Sequence, residues 1–343
     1  MYDYIIVTHI PAFYKVNLYN ELAKQLKIFV VFIATNTNEK RADDFITLDN
    51  ANFEYKLLFD GDFQTRDIES NIKKLKNILK NNHYKRLLVS GWDLKEFWYL
   101  VMFYPKSKNC LALESTINES RVDGIRGFIK KIFLSRVSIV FASGNLHKEL
   151  LDALNYKGKV KITKGVGIIN KPKFEKVKKE YKKRFLFIGR LSEEKNIDML
   201  VNIFNELDEC TLTIIGTGQL EKELKDKAKS NIIFEGQVEN SKLKEYFKSN
   251  DIFVLPSLAE TWGLVVEEAL YFGLPVIVSK NCGASELIQD GVNGYVVEPM
   301  DKEEIKRLIL DVDDVVYQKL FKGVSKFSVD EKDLGQVLSY DIK

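Results

Sequence analysis

Four side chains in the second half of the sequence have the types and spacing needed to bind a phosphorylated, hydroxyl-rich molecule: Arg190, Lys195, Glu260 and Glu268. The first two lie in Gly189-Arg190-Leu191-Ser192-Glu193-Glu194-Lys195-Asn196, directly after an apolar strand pattern and before a helical one. Glycine lets backbone approach a ligand closely, and two cations can bracket a diphosphate. A solvated basic loop is the other reading of the same pair. Glu260 belongs to the segment from Pro256 to Leu270, where a strand ends at Leu255 and a helix opens near Gly263. The free N–H groups and positive dipole end of such a helix make an anion site. Glu268 follows about two turns along, on a similar side, where a carboxylate can accept hydrogen bonds from hydroxyls. Glutamates at this spacing also suit a wet helix face, but Glu267 and Glu268 are embedded between Val265-Val266 and Ala269-Leu270.

Weaker signals surround these four. Gly216-Thr217-Gly218 follows another strand and either admits a ligand or makes a tight turn; it lacks the third glycine of a dinucleotide fingerprint. In the first half, His9 ends a strand and is either a ligand contact or a packed strand-end histidine. Glu114 ends another strand, as a site residue or as a cap for the next segment. Gly91-Trp92-Asp93 is a comparable strand-end loop. The Asp-x-Asp at Asp311-Val312-Asp313 lies in a helical stretch far from any strand-end loop, so no metal role is expected of it.

The elements that hold these loops alternate. Strands over residues 4–8, 28–34, 55–58, 86–90 and 110–113 are interleaved with helices over 15–25, 68–81 and 94–103. After a polar stretch, residues 170–183, with Pro172 and seven lysines, the cycle restarts. Strands are expected over 184–188, 211–215, 232–235, 252–255 and 276–279, and helices over 196–206, 221–230, 241–248 and 263–272. Gly291-Val292-Asn293-Gly294 is expected to be a loop. This predicts an α/β architecture of two Rossmann-like, doubly wound parallel sheets facing a cleft. The first domain would span 1–169, the linker 170–183 and the second domain 184–343, with the last helices packing back on the first domain. In open α/β sheets ligands sit outside the carboxyl ends of the strands, which is where the candidate loops fall.

Composition narrows the class. A chain of 343 residues with 45% hydrophobic and 29% charged residues is globular, and a net charge of +3 gives no ground for a nucleic-acid partner. Cys110, Cys210 and Cys282 show no CxxC spacing and suit buried thiols in a reducing compartment. The sequence opens without a basic leader and holds no apolar run long enough to span a bilayer, so the expected location is the cytoplasm or the cytoplasmic face of a membrane. Residues 126–136 alternate apolar and basic side chains at helical spacing, either to lie on the anionic inner membrane or to pack on the sheet.

The ordered set of Gly-Arg-Leu-x-x-x-Lys-Asn from Gly189, the Gly-x-Gly at Gly216, Phe234-Glu235-Gly236, Asp251 to Ser257, Glu260-x7-Glu268, Gly273-Leu274-Pro275-Val276-Ile277, Gly283-x-x-Glu286-Leu287-Ile288 and Asp290-Gly291-x-Asn293-Gly294 resembles the donor half of family 4 glycosyltransferases with the GT-B fold, the glycosyl transferases group 1. The resemblance implies a retaining enzyme whose co-substrate is a nucleotide-diphosphate sugar and which needs neither cofactor nor metal. Arg190 and Lys195 would hold the donor diphosphate, Glu268 the ribose, and Glu260 would face the transferred sugar. Backbone at Gly263, Leu264 and Val265 would contact phosphate or sugar, with Gly189, Gly216 and Gly236 also on the donor side. His9, Tyr14 and Asn17 fall in a loop similar to the family's Pro-x-Tyr opening variant, and Glu114 stands where many members carry a histidine. With Trp92 these are the acceptor-side candidates. The expected acceptor is a glycan or a lipid-linked molecule. The lysine-, asparagine- and isoleucine-rich composition suggests an AT-rich bacterial genome, in which such enzymes build capsule, lipopolysaccharide and other surface glycans. A nucleotide-sugar epimerase of the same fold and a catalytically silent partner subunit are the alternatives.

Overall fold

The computed structural model describes residues 1–39 and 41–341. It divides into two compact units, one of Met1–Asn170 together with the chain from Lys332, the other of Lys171–Glu331.

The first unit alternates strand and helix: β1 (Tyr2–Thr8), α1 (Phe13–Ala23), β2 (Ile28–Phe32), β3 (Glu54–Leu57), α2 (Ile68–Asn81), β4 (Tyr84–Val89), α3 (Lys95–Phe103), β5 (Asn109–Leu113), α4 (Gly124–Ser135), β6 (Ile139–Ala142), α5 (Asn145–Ala153) and β7 (Lys159–Ile162). All seven strands are parallel, in the order β3-β2-β1-β4-β5-β6-β7. A central parallel strand is covered on both faces, so β1 reads as an unbroken apolar run, with Ile5, Ile6 and Val7 fully buried. β7, in contrast, is an edge strand whose Lys-Val-Lys-Ile alternation conceals it in the sequence. Of the last helix, the part from Lys332 packs in this unit: Tyr340 stacks on Phe141 at 4.3 Å, and its carbonyl accepts from the Tyr4 hydroxyl at 2.8 Å.

The second unit runs β8 (Arg184–Ile188), α6 (Ile197–Phe204), β9 (Thr211–Ile215), α7 (Glu221–Lys227), β10 (Ile232–Gly236), α8 (Leu243–Ser249), β11 (Ile252–Leu255), α9 (Leu264–Tyr271), β12 (Val276–Ser279), β13 (Gly294–Val297), α10 (Lys302–Asp311) and α11 (Asp314–Lys326), and ends within the first turn of α12 (Val329–Ser339), whose remainder belongs to the first unit. Its six parallel strands follow the order β10-β9-β8-β11-β12-β13. The sequence pattern over 291–294 suggests only a loop; Gly294 in fact opens β13, because β12 lends it a parallel edge from Val276 onward. Asp313 of the Asp-x-Asp caps α11 by accepting from the Val316 N–H at 2.8 Å.

Both orders reverse direction in the middle, between β1 and β4 in one unit and between β8 and β11 in the other. At such a switch point the loops leaving two adjacent strands diverge and open a crevice at the carboxyl edge.

Candidate functional site

In the second unit, the loops after β8 and β11 are bonded to each other. Leu258 N–H donates to the Glu194 carbonyl at 2.9 Å, and Asn196, held at φ +54° in front of α6, donates its amide to the carbonyls of Pro256 at 3.2 Å and Pro299 at 2.6 Å. Asparagine tolerates this left-handed conformation better than most side chains, which gives the Asn of the Lys-Asn motif a structural function. The clamp sets Lys195, nearly buried, against Glu260 in an ion pair across 65 residues of sequence.

Glu260 is fixed through its backbone as well. Its N–H donates to the Asn281 carbonyl at 3.2 Å and its carbonyl accepts from Gly283 at 3.0 Å, a short parallel bridge to Cys282. The chain then turns through Gly263 at φ +90°, where a Cβ would come within 2.8 Å of Cys282 Sγ. Leu264 and Val265 begin α9 with no side-chain cap, leaving the helix start open to an anion. Cys282 is buried, and its thiol is pushed well above the ordinary range by burial and then by the Glu260 charge.

The two adjacent glutamates of α9 divide. Glu267 is fully buried and accepts from the Trp262 indole N–H at 2.5 Å, a packing contact, while Glu268 remains half-buried. Arg190 is exposed, 3.5 Å from Glu194, so its guanidinium can turn to a ligand at little cost. Gly189 donates to the Ile215 carbonyl at 3.0 Å, and Gly216 to that of Gly236 at 2.7 Å, so the three glycines line up across adjacent loops. Gly236 has φ +69° with no atom within 4 Å of a would-be Cβ. Arg190, Lys195, Glu260 and the α9 start therefore share the carboxyl edge of one sheet, and Glu268 follows a turn into α9.

In the first unit a pocket of about 260 Å³ opens at the β1/β4 switch point, lined among others by His9, Tyr14, Lys15, Arg41, Asp93 and Glu114. His9 Nε2 meets Asp93 Oδ2 at 2.8 Å, and its ring packs edge-on against Phe97 at 5.1 Å, so it is packed while also lining the pocket. Burial opposes ionisation of Asp93, but the His9 contact outweighs it and holds the carboxyl below its ordinary range. Lys15, buried, pairs with Glu114. Burial alone would lower its ammonium; the Glu114 charge reverses the effect and raises it. Burial and then Glu114 push the Tyr14 hydroxyl up to about 12.

Two first-half candidates lie elsewhere. Asn17 donates to the Ile168 carbonyl at 3.1 Å and to Asn170 at 2.9 Å, tying α1 to the segment after β7. Trp92 packs edge-on against Phe133 at 6.5 Å beneath the Lys130 ammonium. Asp93, from the candidate loop Gly91-Trp92-Asp93, lines the pocket where Trp92 does not, and Lys15 joins it unannounced; no signal short of the fold pairs Lys15 with a residue 99 positions away.

Beside this pocket, His147 on α5 is fully buried, and burial lowers its imidazole from the ordinary 6.5 to about 4. The unfolded chain then takes up a proton at a higher pH than the folded chain. The stabilisation from keeping His147 neutral is full above pH 6.5 and is lost as pH falls towards 4, by about 3 kcal/mol. Urea melts of wild type and His147→Gln at about pH 7 and about pH 5 should show a smaller pH dependence in the variant; an unchanged dependence would disprove the assignment.

Two doubly wound parallel sheets, one carrying a cation–carboxylate pair at an open helix start, define the GT-B class of fold. A structure of Anabaena HepE in complex with UDP-glucose superposes with a TM-score of 0.72 over 98% of both chains at 14% identity. Residues 169–313, which contain every donor-side candidate, match the family described as glycosyl transferases group 1. A 41.2 kDa protein in the cps region of Klebsiella pneumoniae is 29% identical over 192 residues, 53% of this chain and 54% of that one. The aligned stretch thus spans about half of that relative, and 24% and 38% of two further curated relatives. A Haemophilus influenzae protein described as a glycosyltransferase is 28% identical over 306 residues, 84% of this chain and 82% of its own. Among the described residues no helix is long and apolar enough to cross a membrane.

Proposed function

We propose that this protein is a retaining, metal-independent glycosyltransferase that moves a sugar from a nucleotide-diphosphate donor to a glycan or lipid-linked acceptor. It would do so in the cytoplasm or at the cytoplasmic face of the membrane, in the assembly of a bacterial surface polysaccharide. The observation that carries this reading is the Lys195–Glu260 pair at the uncapped start of α9. A diphosphate arriving there replaces the carboxylate as the partner of Lys195 and frees Glu260 to face the sugar. Arg190 and Lys195 neutralise the leaving group as the anomeric C–O bond breaks and the diphosphate keeps the electron pair. The acceptor oxygen forms the new bond from the same face, and its proton passes to the departing diphosphate oxygen. Glu268 accepts from the ribose hydroxyls. A UDP-glucose complex of a protein with the same fold and a relative in a cps region support this class of donor and pathway.

Thermal melting with UDP, GDP, CDP and dTDP sugars, each with and without chelator, tests the reading. One nucleotide class should raise the melting temperature regardless of chelator, since ligand at a hundred times its dissociation constant stabilises by about 2.7 kcal/mol. Arg190→Ala should weaken that donor by a few kcal/mol at most. A rise with none of the four, or a rise abolished by chelator, refutes the proposal.

A further inference from the structure

α4 is apolar on two sides. Towards the first unit's core it buries Gly127, Phe133 and Leu134. Towards solvent it presents Ile125, Phe128, Ile129 and Ile132, exposed by 79, 64, 44 and 37%. These four fall on one stripe at 3.6-residue periodicity, and a solvent-facing stripe of large apolar side chains marks an interaction surface. Arg126 and Lys131 flank the stripe on either side, Arg136 follows the helix, and no acidic residue occurs within it. Phe103, exposed by 74% at the end of the neighbouring α3, extends the patch: Arg136 donates to the carbonyls of Met102 and Tyr104, both at 3.3 Å. Lys131 also lines a cavity of about 540 Å³ with Lys106 and Lys157 over Leu134, Leu154 and Tyr156. None of these three lysines pairs with a carboxylate among the described residues.

We propose that the solvent face of α4, with Phe103, docks this protein on an anionic lipid bilayer. The isoleucines and phenylalanines would enter the acyl boundary, and Arg126, Lys106, Lys131 and Lys157 would meet phosphate headgroups. Charge selects this occupant. Apolar area set among unpaired cations matches a surface that is apolar within and anionic at its boundary. Two copies meeting through the same face would instead oppose their cations, which disfavours a second chain. The inference is independent of the transfer reaction, because docking needs neither donor nor acceptor.

Flotation of the full chain with vesicles tests it, using pure phosphatidylcholine and phosphatidylcholine containing roughly a third phosphatidylglycerol. The protein should float with the anionic vesicles, remain at the bottom with the neutral ones, and lose flotation as salt rises. Ile125→Ser/Phe128→Ser should weaken partition by about tenfold or more, since two large apolar side chains no longer enter lipid. Its melting temperature should stay near that of wild type because both residues face solvent. Lys131→Glu should lower flotation with anionic vesicles alone. Equal flotation with neutral vesicles, or a double variant that floats like wild type, would overturn the proposal. So would a vesicle-free dimer that the double variant dissociates, which would assign the face to a second copy.

Discussion

Glu260→Ala is expected to lower turnover on the order of a thousandfold while leaving donor binding intact or tighter. Backbone bonds to Asn281 and Gly283 hold residue 260, and alanine keeps both, so the loop and the start of α9 should persist. What disappears is the carboxylate that neutralises Lys195. An ammonium only 11% exposed without its partner costs about 1–3 kcal/mol. A diphosphate would relieve that cost in the variant, whereas in wild type it must first displace Glu260. The donor should therefore raise the melting temperature of Glu260→Ala at least as much as that of wild type, even as transfer fails. Near-normal turnover would remove Glu260 from the reaction. A lost donor response with turnover reduced in proportion would make Glu260 a binding residue only.

The loops that carry the donor-side candidates are legible in the sequence because Arg190, Lys195 and Glu260 follow directly on strands β8 and β11, and Glu268 follows on the helix after β11. Residues 184–188, 211–215, 252–255 and 276–279 are strands at their anticipated bounds, since buried parallel strands are short, unbroken apolar runs. The features that the sequence conceals depend on neighbours distant in the chain. Glu267 and Glu268 look alike in their apolar setting, and only the Trp262 indole separates a packing glutamate from one that is half-exposed. Asp93 looks no more promising than Trp92 beside it, until the order of the sheet brings β4 next to β1 and sets Asp93 against His9. Nothing local announces that Tyr340 stacks on Phe141, because that contact is decided by which sheet offers the open aromatic face. α4 illustrates a third case: helical spacing of apolar and basic residues is visible, but which apolar side faces the core requires the packed unit.

The glycines of the Gly-x-Gly loop test the division between packing and binding most sharply. Gly216→Ala is expected to destabilise the second unit by about 3–5 kcal/mol, lowering its melting temperature by on the order of ten degrees. Gly216 has φ +131°, and a Cβ there would stand 1.9 Å from the Gly189 carbonyl oxygen. Neither partner can withdraw easily. Gly189 N–H is bonded to Ile215, Gly216 N–H to Gly236, and Leu191 N–H to Thr217. Gly218 repeats the constraint, with a would-be Cβ 2.3 Å from the Leu191 carbonyl oxygen. The motif is thus explained by the contact of two loops, one of which carries Arg190 and Lys195, without any ligand against the glycines themselves. Gly236→Ala provides the contrast: its Cβ would meet nothing within 4 Å, so only the left-handed backbone at φ +69° is penalised, by about 1–2 kcal/mol. Urea melts of the two variants should separate them clearly. If Gly216→Ala melts like wild type yet no longer responds to donor, the glycine serves the ligand, and the loop contact is incidental.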